Sequence, residues 1–66
     1  MNITVNDVPV NLPDGATLAD ALASRQLPAT GVATAVNGSV VPAILRTTRT
    51  LNDGDKIVVI KAFYGG

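Results

Sequence analysis

Residues 56–63 read KIVVIKAF, the longest β-favouring run in the chain. In a strand, Ile57 and Val59 share one face, and Val58, Ile60 and Ala62 share the other. The run is apolar on both faces, as in strands that are covered on both sides. The chain offers little to do the covering. Its 66 residues make one domain, and a chain so short buries only about 60% of its unfolded surface. One helical pattern is present, and one helix covers one face of a sheet. Ile57 and Val59 are the expected core pair, with Val58 and Ile60 left as an exposed apolar row. The alternative is that Pro42–Leu51 folds over that row, although the segment has few large apolar residues.

The rest of the chain divides into short elements. In MNITVN, Met1, Ile3 and Val5 alternate with Asn2, Thr4 and Asn6, the pattern of a half-buried strand. VPVNL alternates again, with Val8, Val10 and Leu12 expected inward, and Asn6-Asp7 supplies the turn between the two runs. Pro9 has no N–H to donate, so this second strand belongs at a sheet edge. Thr17 is a good N-cap with Asp20 three residues on, a variant of the capping box. Leu18, Ala21 and Leu22 follow at helical spacing, and Pro28 and Gly31 close the helix region. VATAVNGSVV is a strand, an Asn37-Gly38 turn and a return strand. Pro42 and AILR suggest one helical turn, and LNDGD is a turn in which Gly54 takes positive φ. The order is β-β-α-β-β-β. The economical solution is an α+β fold, a mixed twisted sheet with one main helix packed on one face. The last strand should lie in the middle, parallel to the first, which is the β-grasp arrangement.

Composition excludes several kinds of chemistry. There is no histidine, so the usual general base near neutral pH is missing. Without cysteine there is neither a thiolate nor a disulfide, and no metal cluster of the usual kind is expected. Asp53 and Asp55 flank Gly54 but lack the loop length and closing Glu of a calcium site, so they read as turn residues. The glycines form no phosphate-binding motif, and Ser24 and Ser39 have no base partner. The chain cannot enclose a drug-sized cavity, which needs roughly 300 Å³ or more, without losing its core, so any chemistry is expected at the surface or in a partner's pocket. Five Lys+Arg balance five Asp+Glu, so no overall field draws nucleic acid. Arg46, Arg49, Lys56 and Lys61 read as solvated surface rather than a basic patch. No apolar run approaches the ~20 residues that span a membrane, and MNITVNDVPV lacks the basic start and apolar core of a signal peptide. A cytoplasmic protein without membrane or nucleic-acid partners is expected. The mean hydropathy of +0.35 with 15% charged residues is high for such a chain, and part of that apolar content should stay outside for a partner.

Gly65-Gly66 close the sequence. A terminal α-carboxyl group is ionised at neutral pH. It is a fair nucleophile toward an activated phosphate and a poor acyl donor until made into a mixed anhydride. Two glycines remove every side chain near that carbon, so the tail can extend through a slot too narrow for a Cβ and meet a partner's ATP. The apolar strand leads straight into this tail, with Val58, Ile60 and Ala62 on its flank to dock the partner. Phe63 and Tyr64 either anchor the tail in that partner or are ordinary tail residues.

Val36-Asn37-Gly38, Val41-Pro42, Leu51-Asn52-Asp53-Gly54-Asp55 and the closing Gly65-Gly66 resemble the ThiS family of bacterial sulfur carriers in thiamine biosynthesis. The resemblance covers nearly the whole chain. Ala43 stands where many members carry Arg, and the aromatic that often follows is absent. The resemblance implies a ubiquitin-like β-grasp domain over 1–66 with a flexible GG tail. It implies a carrier rather than an enzyme, with no bound cofactor. A ThiF-like adenylating partner would join the Gly66 carboxylate to AMP from ATP. Sulfur derived from cysteine by a desulfurase would then leave a thiocarboxylate, and a ThiG-like thiazole synthase would take that sulfur.

Other destinations share this chemistry. The small subunit of molybdopterin synthase resembles the chain in fold and tail but usually runs longer, and tRNA thiolation is another use of such carriers. A ubiquitin-like tag joined to lysines is a further possibility. LPDGATLADALA and LNDGDKIVVI also resemble TGS-like regulatory or RNA-binding modules, which normally sit inside longer chains and need no GG.

Overall fold

The first hairpin follows from its turn. A computed structural model describes residues 1–28 and 30–61. Strand β1 (Asn2–Val5) pairs antiparallel with β2 (Val8–Asn11). Asn6 and Asp7 join them at φ 50 and 66, in the left-handed region that Asn and Asp enter more readily than other residues. Strand β2 is an edge strand, as Pro9 requires. Val10 and Leu12 turn inward as expected, but Val8 is 38% exposed. It sits beside the turn on an edge strand, with a strand neighbour on one side only.

Helix α1 (Leu18–Ser24) starts at Thr17. The capping box is complete: the Asp20 N–H donates to Thr17 Oγ1 at 3.3 Å, and the Thr17 N–H donates to Asp20 Oδ2 at 2.9 Å. Leu18 and Ala21 are buried in the core with the strand residues, and Leu22 is buried as well. The helix stops earlier than Pro28. Gln26 takes φ 55, its N–H donates to Ala23 O at 3.0 Å, and the Leu27 N–H donates to Leu22 O at 2.9 Å. This is a Schellman closure with Gln where Gly is usual.

Strands β3 (Val32–Val36) and β4 (Ser39–Val41) form the second hairpin about Asn37-Gly38, with φ 51 and 85. A 3-10 turn follows at Ala43–Leu45. Strand β5 (Lys56–Lys61) enters from the Gly54 turn, where φ is +87. The sheet order is β2-β1-β5-β3-β4. Strand β5 is central, parallel to β1 (Val5↔Ile57) and antiparallel to β3 (Val36↔Ile57), as the sequence predicts.

Ile3, Val5, Leu18, Ala21, Val36 and Ile57 form the centre of the core, and Val59 packs against it. The stretch from Arg46 to Leu51 lies along the start of α1. The Leu18 N–H donates to Arg49 O at 2.9 Å, the Ala19 N–H to Arg46 O at 3.1 Å and the Leu51 N–H to Ala16 O at 2.9 Å. The first two bonds satisfy first-turn donors that a helix cannot pair internally. They tie this stretch to the helix side of the sheet, so it does not cover the opposite face.

Candidate functional site

The face that no other described element covers is built by strand parity. Register sets Ala33 beside Ile60, and Ala35 beside both Val58 and Val40, on the side away from α1. Ile57 is 0% exposed and Val59 half-buried, whereas Ile60 is 60% exposed and Val58 half-buried. The expected assignment of the two faces of β5 therefore holds. Alanine neighbours are short, so Val58 and Ile60 stand above them and form a raised apolar row. Val40, 77% exposed, continues the row across the sheet. The predicted tail positions Ala62, Phe63, Tyr64, Gly65 and Gly66 lie outside the described residues.

Sequence reasoning missed a neighbouring apolar surface. Ile44 is 83% exposed on the 3-10 turn. Val40, Pro42, Leu45 and Arg49 help line a groove of about 350 Å³ beside β4. The signal was present in Ala43-Ile44-Leu45, since consecutive residues of a tight helical turn cannot all face one core.

Two polar side chains extend strands that end early. Strand β4 stops at Val41, leaving the outer edge of β3 unpaired at Val32. Arg46 reaches that edge: one terminal guanidinium nitrogen donates to Val32 O at 2.7 Å and Nε donates to Thr34 Oγ1 at 3.1 Å. The Thr34 hydroxyl in turn donates to Val41 O at 2.9 Å. Arg46 is only 5% exposed, which corrects its expected place among the solvated cations. A guanidinium suits the position because its fixed donor fork serves two acceptors at once. On the other side of the sheet, β1 ends at Val5 while β5 continues. There the Val59 N–H donates to Asn6 Oδ1 at 2.8 Å, and Asn6 Nδ2 donates to Val59 O at 3.3 Å.

The acidic pair is engaged in turns, as the spacing predicts. Asp53 Oδ1 accepts the Asn2 N–H at 2.6 Å. Asp55 accepts Asn37 Nδ2 at 2.9 Å and the Asn52 N–H at 2.8 Å. Lys56 lies 3.8 Å from Asp7, both exposed, a contact that adds little. Among the described residues, no helix is long and apolar enough to cross a membrane.

The sequence model of the ThiS family matches residues 1–66. The chain belongs to the ThiS family. The fold agrees: a crystal structure of a thiamine biosynthesis protein, ThiS, from Geobacter metallireducens superposes with a TM-score of 0.83. The two are 25% identical, and the match covers 100% of each chain. A solution structure of a thiamine biosynthesis protein from the same organism matches with a TM-score of 0.73 and 29% identity, over 100% of this chain and 87% of that one. A comparison with curated protein sequences finds no match. The mixed five-stranded sheet with its single described helix is thus the β-grasp fold of ThiS.

Proposed function

We propose that this ThiS-family protein is a sulfur carrier loaded at the Gly66 carboxylate, and that it acts as substrate for its partners rather than as an enzyme. The observation that carries the reading is topological. The central strand, with an apolar row at Val58 and Ile60 that no other described element covers, is the one that Gly65-Gly66 follow in sequence. A ThiF-like enzyme docks on that row and binds ATP, and residues 62–66 supply the reach. A carboxylate oxygen attacks the α-phosphorus of ATP, pyrophosphate leaves, and an acyl-adenylate forms. The terminal sulfur of a persulfide, drawn from cysteine by a desulfurase, then attacks the acyl carbon and AMP leaves. A thiol cleaves the resulting sulfur–sulfur bond and releases the thiocarboxylate. A ThiG-like thiazole synthase is the acceptor, a destination supported by the thiamine biosynthesis proteins that share the fold.

Intact mass spectrometry tests the reading. Incubation with ATP, the adenylating enzyme and a persulfide donor should replace one oxygen of the chain by sulfur. Deletion of Gly66 should abolish the exchange without changing the melting temperature. A deletion variant that is still converted would overturn the proposal.

A further inference from the structure

We infer that Asn6 is a positioning residue that holds β5 at the point where it passes into residues 62–66. The inference rests on the carrier reading and adds a residue to it. Backbone groups of Asp55, Ile57 and Val59 all turn toward β1. The Thr4 N–H donates to Asp55 O at 3.1 Å, and the Asn6 N–H donates to Ile57 O at 2.9 Å. The parallel pairing then runs out, because the chain must reverse at Asn6-Asp7 to begin β2, whereas β5 continues to Lys61. At Val59 a side chain takes over from the backbone. The Asn6 carboxamide accepts from the Val59 N–H and donates to the Val59 carbonyl.

A carboxamide carries the donor and acceptor of a peptide unit, so it can stand in for the missing next residue of β1. The turn alone does not demand Asn. At φ 50 Gly serves freely and Asp serves well, but neither offers both bonds. Val59 lies two residues before the end of the strand, so this clamp is the last described bond from the β1 side before the tail. Holding Val59 fixes the last described part of the strand that precedes the reactive end in sequence, and misplacement by about 1 Å can slow a positioned reaction by up to 10²-fold.

Asn6→Gly keeps the turn and removes the clamp. Asn6→Asp keeps the acceptor for the Val59 N–H and sets an oxygen against the Val59 carbonyl. Initial rates of pyrophosphate release are measured with ATP and the ThiF-like enzyme, alongside amide hydrogen exchange. The expected result for Asn6→Gly is a kcat lower by about tenfold with KM for the carrier within about twofold, because the docking row is intact. Asn6→Asp should fall between this variant and the natural protein. The Val59 amide should exchange faster while the Ile57 and Val36 amides do not. If Asn6→Gly leaves kcat unchanged, or raises exchange uniformly through the core, the inference is overturned and the carrier reading stands. If the natural chain itself is never adenylated, the carrier reading falls and takes this inference with it.

Discussion

Arg46 shows how one residue's role escapes a linear reading. Its neighbours Leu45 and Thr47 are both exposed, and nothing local marks Arg46 as buried. The only hint was Thr34, a polar residue on the inward-facing parity of β3 beside Val32 and Val36. A hydroxyl in that place needs partners, and it finds them in Arg46 and the Val41 carbonyl. Arg46→Ala removes donors from Val32 O and Thr34 Oγ1 and should destabilise the domain by about 2 kcal/mol, since hydrogen bonds from charged groups count for more than neutral ones. Urea titration followed by circular dichroism measures it. Arg46→Lys should recover only part of the loss, because one ammonium cannot reproduce the fork. A fully recovered midpoint would show that charge or packing alone matters.

At the scale of elements, the two faces of β5 make opposite demands. Ile57 lies in the core, and Ile57→Ala should cost about 2–5 kcal/mol. Ile60 faces outward, and Ile60→Asp should leave the melting temperature close to the natural value. The same Asp should raise the KM of adenylation by about tenfold or more, because it puts a charge into the row proposed to dock the adenylating enzyme. A domain unfolded by Ile60→Asp, or adenylated as well as before, would refute that role. The end of α1 allows a gain. Gln26 holds a left-handed conformation that disfavours side chains by about 1–2 kcal/mol, partly offset by the lower chain entropy of Gln when unfolded. Gln26→Gly should therefore stabilise by about 0.5 kcal/mol, read as a small rise in the urea midpoint. The start of this helix was legible from Thr17 and Asp20, which act locally. Its end was not, because the closure places Gln where the usual signal is Gly.

Taken as a whole, the described residues form a small core with one side of the sheet left open. Helix α1 and the stretch tied to its first turn lie on the same face of the sheet. The opposite face carries Val58, Ile60 and Val40, so part of the chain's apolar content lies there outside the core. The central position of β5 matters for the proposed function. Pairing with β1 on one side and β3 on the other holds the strand that carries Val58 and Ile60. Loss of Gly66 should therefore separate function from folding, with conversion to thiocarboxylate abolished and the unfolding transition unmoved. A transition that shifts with the deletion would give the tail a structural part instead.

Patterns with a short physical range were readable in the sequence alone. The Asn6-Asp7, Asn37-Gly38 and Gly54 turns, the Thr17 cap and the two faces of β5 each depend on a few consecutive residues, their allowed dihedral angles and a strict alternation. Only the assembled sheet decided which strands would end early, and therefore that Arg46 would be drawn inside and Asn6 would reach Val59. Those roles depend on hydrogen bonds between residues distant in sequence, and an unpaired backbone group has no partner to select until the strands are side by side.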